Sequence, residues 1–161
     1  MSEEGGFLYE HYGYPGFAVI MGYEGPGGSV VVPSTLGDYE VLGIGLKAFA
    51  QRTDVTSVSI PRNITYIGEQ AFFECSGLTS LEVPASVSCI GDWAFFGCAS
   101  LVSITIPDSV VNMGAYAFGE CEMLTSVDIP EGLTQLRFDM FYGCSSLHSV
   151  EIPEGVTKIH G

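Results

Sequence analysis

The sequence predicts a right-handed solenoid of stacked coils, each made of short parallel β-strands and one compact turn. Three observations carry this. Proline closes an apolar phrase at Pro61, Pro84, Pro107, Pro130 and Pro153, each 23 residues from the last. Phenylalanine keeps the 23-residue interval at Phe49, Phe72, Phe95, Phe118 and Phe141, and cysteine keeps it at Cys75, Cys98, Cys121 and Cys144. A turn glycine recurs with them at Gly45, Gly68, Gly91 and Gly114. A unit this short cannot bury its own apolar face, so each coil must serve as the next one's lid.

Within a coil the elements follow in order. In LTSLEVP, residues 78–84, Leu81 and Val83 alternate with Ser80 and Glu82, the period of a strand with one face buried. Pro84 ends that strand. ASVSCIG follows, where Val87 and Ile90 point inward and Gly91 permits a turn. DWAFFGC, residues 92–98, is too short for an independent helix and predicts one helical or 3₁₀ turn with Ala94 and Phe95 inward. Parallel strands stack about 4.7–4.9 Å apart, so five or so coils make a stubby rod roughly 25 Å long.

The first 40 residues break the period. FLYEHYGYPGFAVIMGYEG, residues 7–25, predicts a β-hairpin about Gly13-Tyr14-Pro15-Gly16, and SVVVP predicts the first coil strand near residues 29–33. Pro33 and Pro61 are 28 residues apart, five more than the repeat, so LGDYE holds the insertion. The expected division is an N-terminal β cap over residues 1–40 and about five coils over 41–161, the last incomplete. An open stack exposes strand edges, and the hairpin is most simply the cap that covers one of them.

The repeating phrase is Leu-x-x-Val/Ile-x-Ile-Pro, then x-x-Val-x-x-Ile-Gly, then x-x-Ala-Phe-x-x-Cys. It is fullest in LVSITIPDSVVNMGAYAFGECEML (101–124) and LTSVDIPEGLTQLRFDMFYGCSSL (124–147). This resembles the BspA-type leucine-rich repeat of bacterial surface proteins, over about residues 41–160. The resemblance implies adhesion or protein recognition without catalysis, at the cell surface or after secretion. Arg52 in the cysteine column, Met140 in the alanine column and Arg137 in the glycine column depart from it, which points to distortion in the first and last coils.

Composition bounds the partners. Asp and Glu outnumber Lys and Arg 19 to 5, a net charge of −14. That argues against nucleic acid and anionic membrane surfaces and leaves basic partners open. MSEEGGFLYE has no basic run ahead of an apolar one, and no stretch approaches a membrane span, so no membrane insertion is expected. No cofactor is implied. His11, His148 and His160 occupy unrelated places, and no nucleophile, phosphate-loop or metalloprotease motif occurs.

The cysteines are the chemically tempting feature. Metal sites need convergent ligands, whereas a residue repeated once per coil forms a line, so no metal site is expected. In-register Cβ vectors run parallel and disfavour a bridge, so the column is expected to hold free thiols buried as small apolar fillers. Cys89 lies outside it and is expected to be more exposed.

Two outward columns are the candidate binding face: Ser80, Ser103, Ser126 and Ser149, with Glu82, Thr105, Asp128 and Glu151 two residues along. A surface of hydroxyls and carboxylates on one strand face suits a basic protein or a glycan; the alternative is a face merely kept wet. The competing surface is an aromatic edge of Phe73, Trp93, Phe96, Tyr116 and Tyr142, which either packs along the coil corner or, if exposed, fits a sugar or an apolar patch. The function expected is a noncatalytic protein- or glycan-binding module; a structural spacer is the alternative, and an enzyme with an unrecognised site a remote one. The ending EGVTKIHG leaves an apolar edge, expected to be covered by further chain or by end-to-end self-association.

Overall fold

A computed structural model describes residues 1–160. The chain forms a β-solenoid of two facing sheets with an antiparallel cap. The cap strands are β1 (Ser2–Glu4), β2 (Phe7–Gly13) and β3 (Gly16–Tyr23). The outward columns lie on β4 (Gly28–Val31), β7 (Val55–Ser59), β9 (Ser80–Glu82), β11 (Ser103–Thr105) and β13 (Ser126–Val127). The opposite side comprises β5 (Thr35–Leu36), β6 (Tyr39–Ile44), β8 (Tyr66–Ile67), β10 (Cys89–Ile90) and β12 (Asn112–Met113), followed by β14 (Gln135–Leu136) and β15 (Lys158–Ile159).

Strands β4, β7, β9, β11 and β13 make one parallel five-stranded sheet. The second sheet runs β1-β2-β3-β6-β8-β10-β12 with β5 on β6, and β14 pairs with β15 alone. Registers obey the 23-residue count: Ser57 faces Ser80, Ser80 faces Ser103 and Ser103 faces Ser126. Val58, Leu81, Ile104 and Val127 line the inside of one sheet, Ile67, Ile90 and Met113 that of the other, and a single apolar core fills the space between. Its spine is a ladder of Phe49, Phe72, Phe95 and Phe118, all fully buried, with centroids 5.0, 5.3 and 5.4 Å apart. Aromatic rings stacked near this separation add a little beyond the area they bury.

Side chains also bridge coils at this interval. Thr79 Oγ1 donates to the Thr56 carbonyl (3.0 Å), Thr65 Oγ1 to that of Leu42 (3.0 Å) and Thr125 Oγ1 to that of Val102 (3.2 Å).

The corners keep single turns closed three residues back, but no run of helix occurs among the described residues. Instead, alternate amides divide their hydrogen bonds. Gln70, Phe72 and Glu74 donate to Asp92, Ala94 and Phe96 of the next coil (2.9, 2.8 and 2.7 Å). Ala71, Phe73 and Cys75 donate three residues back within their own coil, to Gly68, Gln70 and Phe72. A helix would have kept all these bonds inside the coil. Left-handed residues interrupt it instead: Gln70 and Glu74 have φ of 55° and 55°, as do Lys47, Gln51, Trp93, Tyr116, Glu120 and Asp139 at 48–61°, while Gly97 and Gly143 take the same place at 72°. Each non-glycine residue there costs about 1–2 kcal/mol, offset by a corner that ties every coil to its neighbour.

The hairpin covers one end of the core. Tyr23 extends the phenylalanine ladder at 5.3 Å from Phe49, and Phe7 packs on Tyr23 at 4.7 Å. Arg52 explains its departure from the cysteine column. Its guanidinium donates to the carbonyls of Tyr23 (2.6 Å) and Gly25 (2.7 Å), forks on Asp54 (2.9 and 2.9 Å) and lies over the Tyr23 ring. A thiol could not reach both carbonyls, so arginine locks cap to stack. At the other end Ser149 and Glu151 lie outside any strand, and Phe141, Cys144, Leu147, Val150 and Val156 are only half-buried.

Candidate functional site

The outward strand face carries an open groove of about 1240 Å³. Period-two alternation places its polar lining: with Val58, Leu81 and Ile104 in the core, Ser57, Ser59, Ser80, Glu82, Ser103 and Thr105 must face out. The expected set therefore divides. Ser80, Glu82, Ser103 and Thr105 line the groove; Ser126 and Asp128 continue the columns beyond its lining; Ser149 and Glu151 are exposed but outside the sheet. The serine column also runs further toward the cap than its sequence spacing suggests, because Ser57 Oγ donates to Ser29 Oγ at 2.9 Å across the 28-residue step.

Arg62 was the residue that spacing did not single out. It is exposed, lines the groove beyond the strand ends, and also borders a second hollow of about 690 Å³ with Asp38 and Glu40. Its own column reads Arg62, Ala85, Asp108, Glu131 and Glu154, so a single base in a column with three acids was the available signal. Ser86 lines the groove too, but its hydroxyl is engaged with the Ile64 carbonyl at 2.6 Å, and its column mates Asn63 and Ser109 make similar bonds between coils.

The aromatic edge packs on itself. Phe73 and Phe96 stack at 5.5 Å and 10°, Trp93 and Tyr116 at 5.7 Å and 14°, and Tyr116 meets Tyr142 edge-on at 6.4 Å. Tyr116 donates its hydroxyl to Asp139 at 2.7 Å. Apart from exposed Tyr142 these rings are half-buried, with faces turned to one another along the stack. A ring whose face is already covered offers little to a sugar, which stacks on faces.

The thiols are free, and they do more than fill space. Cys75, Cys98, Cys121 and Cys144 each donate to the carbonyl of the core phenylalanine one coil back, at 2.9, 3.3, 3.3 and 3.0 Å. Burial pushes Cys75 up to about 12 and Cys98 and Cys121 well up as well, so these thiols stay protonated and unreactive. Cys89, outside the column, is half-buried, as is Cys144 in the last coil. Among the described residues no group of His, Cys, Asp or Glu is arranged to hold a metal ion, and no helix is long and apolar enough to cross a membrane.

With the geometry in place, the comparisons are specific about class. The model of the BspA type leucine-rich repeat region matches residues 43–161 in six copies, and the chain belongs to that family. A leucine-rich cell surface protein of Faecalibacterium prausnitzii is 36% identical with a TM-score of 0.88, the match covering 98% of this chain and 44% of that one. A leucine-rich repeat protein of T. pallidum is 28% identical with a TM-score of 0.79, covering 98% and 85%. One from Bacteroides ovatus is 30% identical with a TM-score of 0.72, covering 98% and 49%. The chain thus spans less than half of the first and third of these proteins. No curated protein sequence matched. The chain is a repeat module of a kind that serves in binding or structure.

Proposed function

We propose that this chain is a noncatalytic recognition module that binds a basic protein ligand across its outward strand face, as part of a surface-exposed or secreted bacterial protein. One observation carries the reading: hydroxyls of Ser57, Ser80 and Ser103 stand in register along a groove, with Glu82 and Thr105 beside them on the same face. The ladder holds these groups at fixed spacing before any ligand arrives, which lowers the ordering cost of binding and lets several modest contacts add. With a net charge of −14, attraction is long-ranged and screened by salt. The likeness to a cell surface protein supports the location.

The test compares immobilised basic and acidic proteins of similar size at low and high salt. Binding should favour the basic ones and weaken as salt rises. Replacing Glu82→Gln and Asp128→Asn together should weaken that binding by about twofold to tenfold and leave the melting temperature nearly unchanged, since both side chains are exposed and Thr105 stands between them in the column. Affinity indifferent to both salt and these replacements would favour a spacer held between other domains.

A further inference from the structure

The cap hairpin presents a second surface that the groove does not use. On the side of its sheet turned away from the core, Tyr12 is in register with Phe17 and Phe17 with Glu40; in the next row Glu10 faces Val19. Orientation follows from alternation: Ala18, Ile20, Val41 and Ile44 belong to the core, whereas Val19 is buried yet stands apart from it. Tyr66 joins this outer side in register with Gly43, its ring lying where a Cβ on that glycine would be.

The aromatic groups here are more exposed than the rings of the coil corners, Tyr142 apart. Tyr12 is 46%, Phe17 36% and Tyr14, at the turn, 89% exposed. Tyr12 and Phe17 stack at 5.4 Å, and the Tyr12 hydroxyl donates to Glu10 at 2.9 Å, which fixes a carboxylate beside the rings. Within the cap itself the side-chain charge has one sign, while Arg62 of the first coil borders a hollow with Asp38 and Glu40. Residues 1–46 contain Glu3, Glu4, Glu10, Glu24, Asp38 and Glu40 and neither lysine nor arginine.

We propose that this outer hairpin face docks an arginine-bearing segment of a partner protein, with a guanidinium over the Tyr12–Phe17 pair and within reach of Glu10 and Glu40. Exposed aromatic clusters mark interaction sites, and tyrosine is prominent among residues that carry binding energy. Rings set among carboxylates select a cation, and a planar guanidinium both stacks on a ring and forks onto a carboxylate, which a lysine ammonium does not. This surface is independent of the strand groove, which has no aromatic side chain in its lining.

The experiment measures fluorescence anisotropy of labelled nona-arginine and nona-lysine peptides with the full chain at about 0.15 M salt. Tyr12→Leu, Tyr14→Leu and Phe17→Leu together keep apolar bulk and charge while removing the rings. That variant should bind nona-arginine about fivefold to tenfold more weakly and lose its preference over nona-lysine. The Glu82→Gln, Asp128→Asn variant should keep the preference. Should the triple variant misfold, Tyr12→Leu alone, at an exposed position, should still give about a twofold loss. Equal affinity of the leucine variants and the unaltered chain overturns the proposal, as does a preference for arginine that disappears only when the strand-face carboxylates are replaced.

Discussion

Phe118 and Phe141 hold the same place in consecutive coils, each in the ladder and each one helical pitch of the stack from its neighbour. Phe118 is fully buried, and Phe141 only partly, although the ring separation between them is an ordinary 5.9 Å. The same contrast holds for Cys121 against Cys144 and Leu124 against Leu147. Nothing in the local phrase accounts for it. What differs is whether another layer lies on the far side. At the opposite end Phe49 is as buried as the middle of the stack because Phe7 and Tyr23 pack against it, with Arg52 holding Tyr23 in place. Burial in this molecule is therefore a property of a coil's neighbours, and a coil's sequence supplies only the eligibility for it.

Ring deletion probes that contrast most strongly. Phe95→Ala should lower stability by about 3–5 kcal/mol, the range for a large aromatic removed from a packed core, whereas Phe141→Ala should cost well under that. Urea unfolding of both variants checks it; equal losses would show that the last coil is packed like the middle. The glycine column should give the next largest effect. A Cβ on Gly91 would come within 2.5 Å of the Glu69 nitrogen and 2.7 Å of the Gly68 carbonyl carbon, so Gly91→Ala must push two coils apart. The expected cost is about 1–3 kcal/mol, read as a drop in melting temperature, while Arg137 shows that the last coil accepts a large exposed side chain at this position.

Taken one thiol at a time, titration gives the smallest effect and the finest resolution. Cys75, Cys98 and Cys121 have folded pKa values raised by burial, so the folded protein keeps protons that the unfolded chain releases above about pH 9. Stability is therefore full below that pH and is lost as pH climbs toward the folded values, by about 1–2 kcal/mol per such thiol at pH 10. Denaturant midpoints at pH 8 and pH 10 test the sign. Under native conditions Cys89 and Cys144 should react with a thiol reagent ahead of the other three. Early reaction of Cys98 would mean that the middle of the stack opens as readily as its end.

The solenoid and its period were legible because one interval is written in several columns at once, and the strand face followed from simple alternation in LTSLEVP. The corner was not. DWAFFGC has the length and apolar spacing of a helical turn, and only the partner coil reveals that alternate amides bond outward, which sets Trp93 and Tyr116 at positive φ where their residue types argue against it. The groove was half legible: its polar lining follows the period, but Arg62 enters through the end of a strand and not through a column of like residues. Arg52 looked like a defect in the repeat, since the carbonyls it serves belong to the cap, which lies outside the period altogether.

The interval at which the coils are tied has a consequence for how such a molecule can change. Thr65 to Leu42, Thr79 to Thr56 and Thr125 to Val102 all join residues 23 apart, and the four thiol bonds of the cysteine column each join residues 26 apart. A stretch of that length duplicated or excised between equivalent positions restores the same partners on both sides of the junction. The loss or gain of a single residue, by contrast, throws every inward side chain of its strand outward. Length should therefore vary by whole coils during descent, so that the reach of the binding face is adjustable by recombination while the chemistry of each layer is left intact.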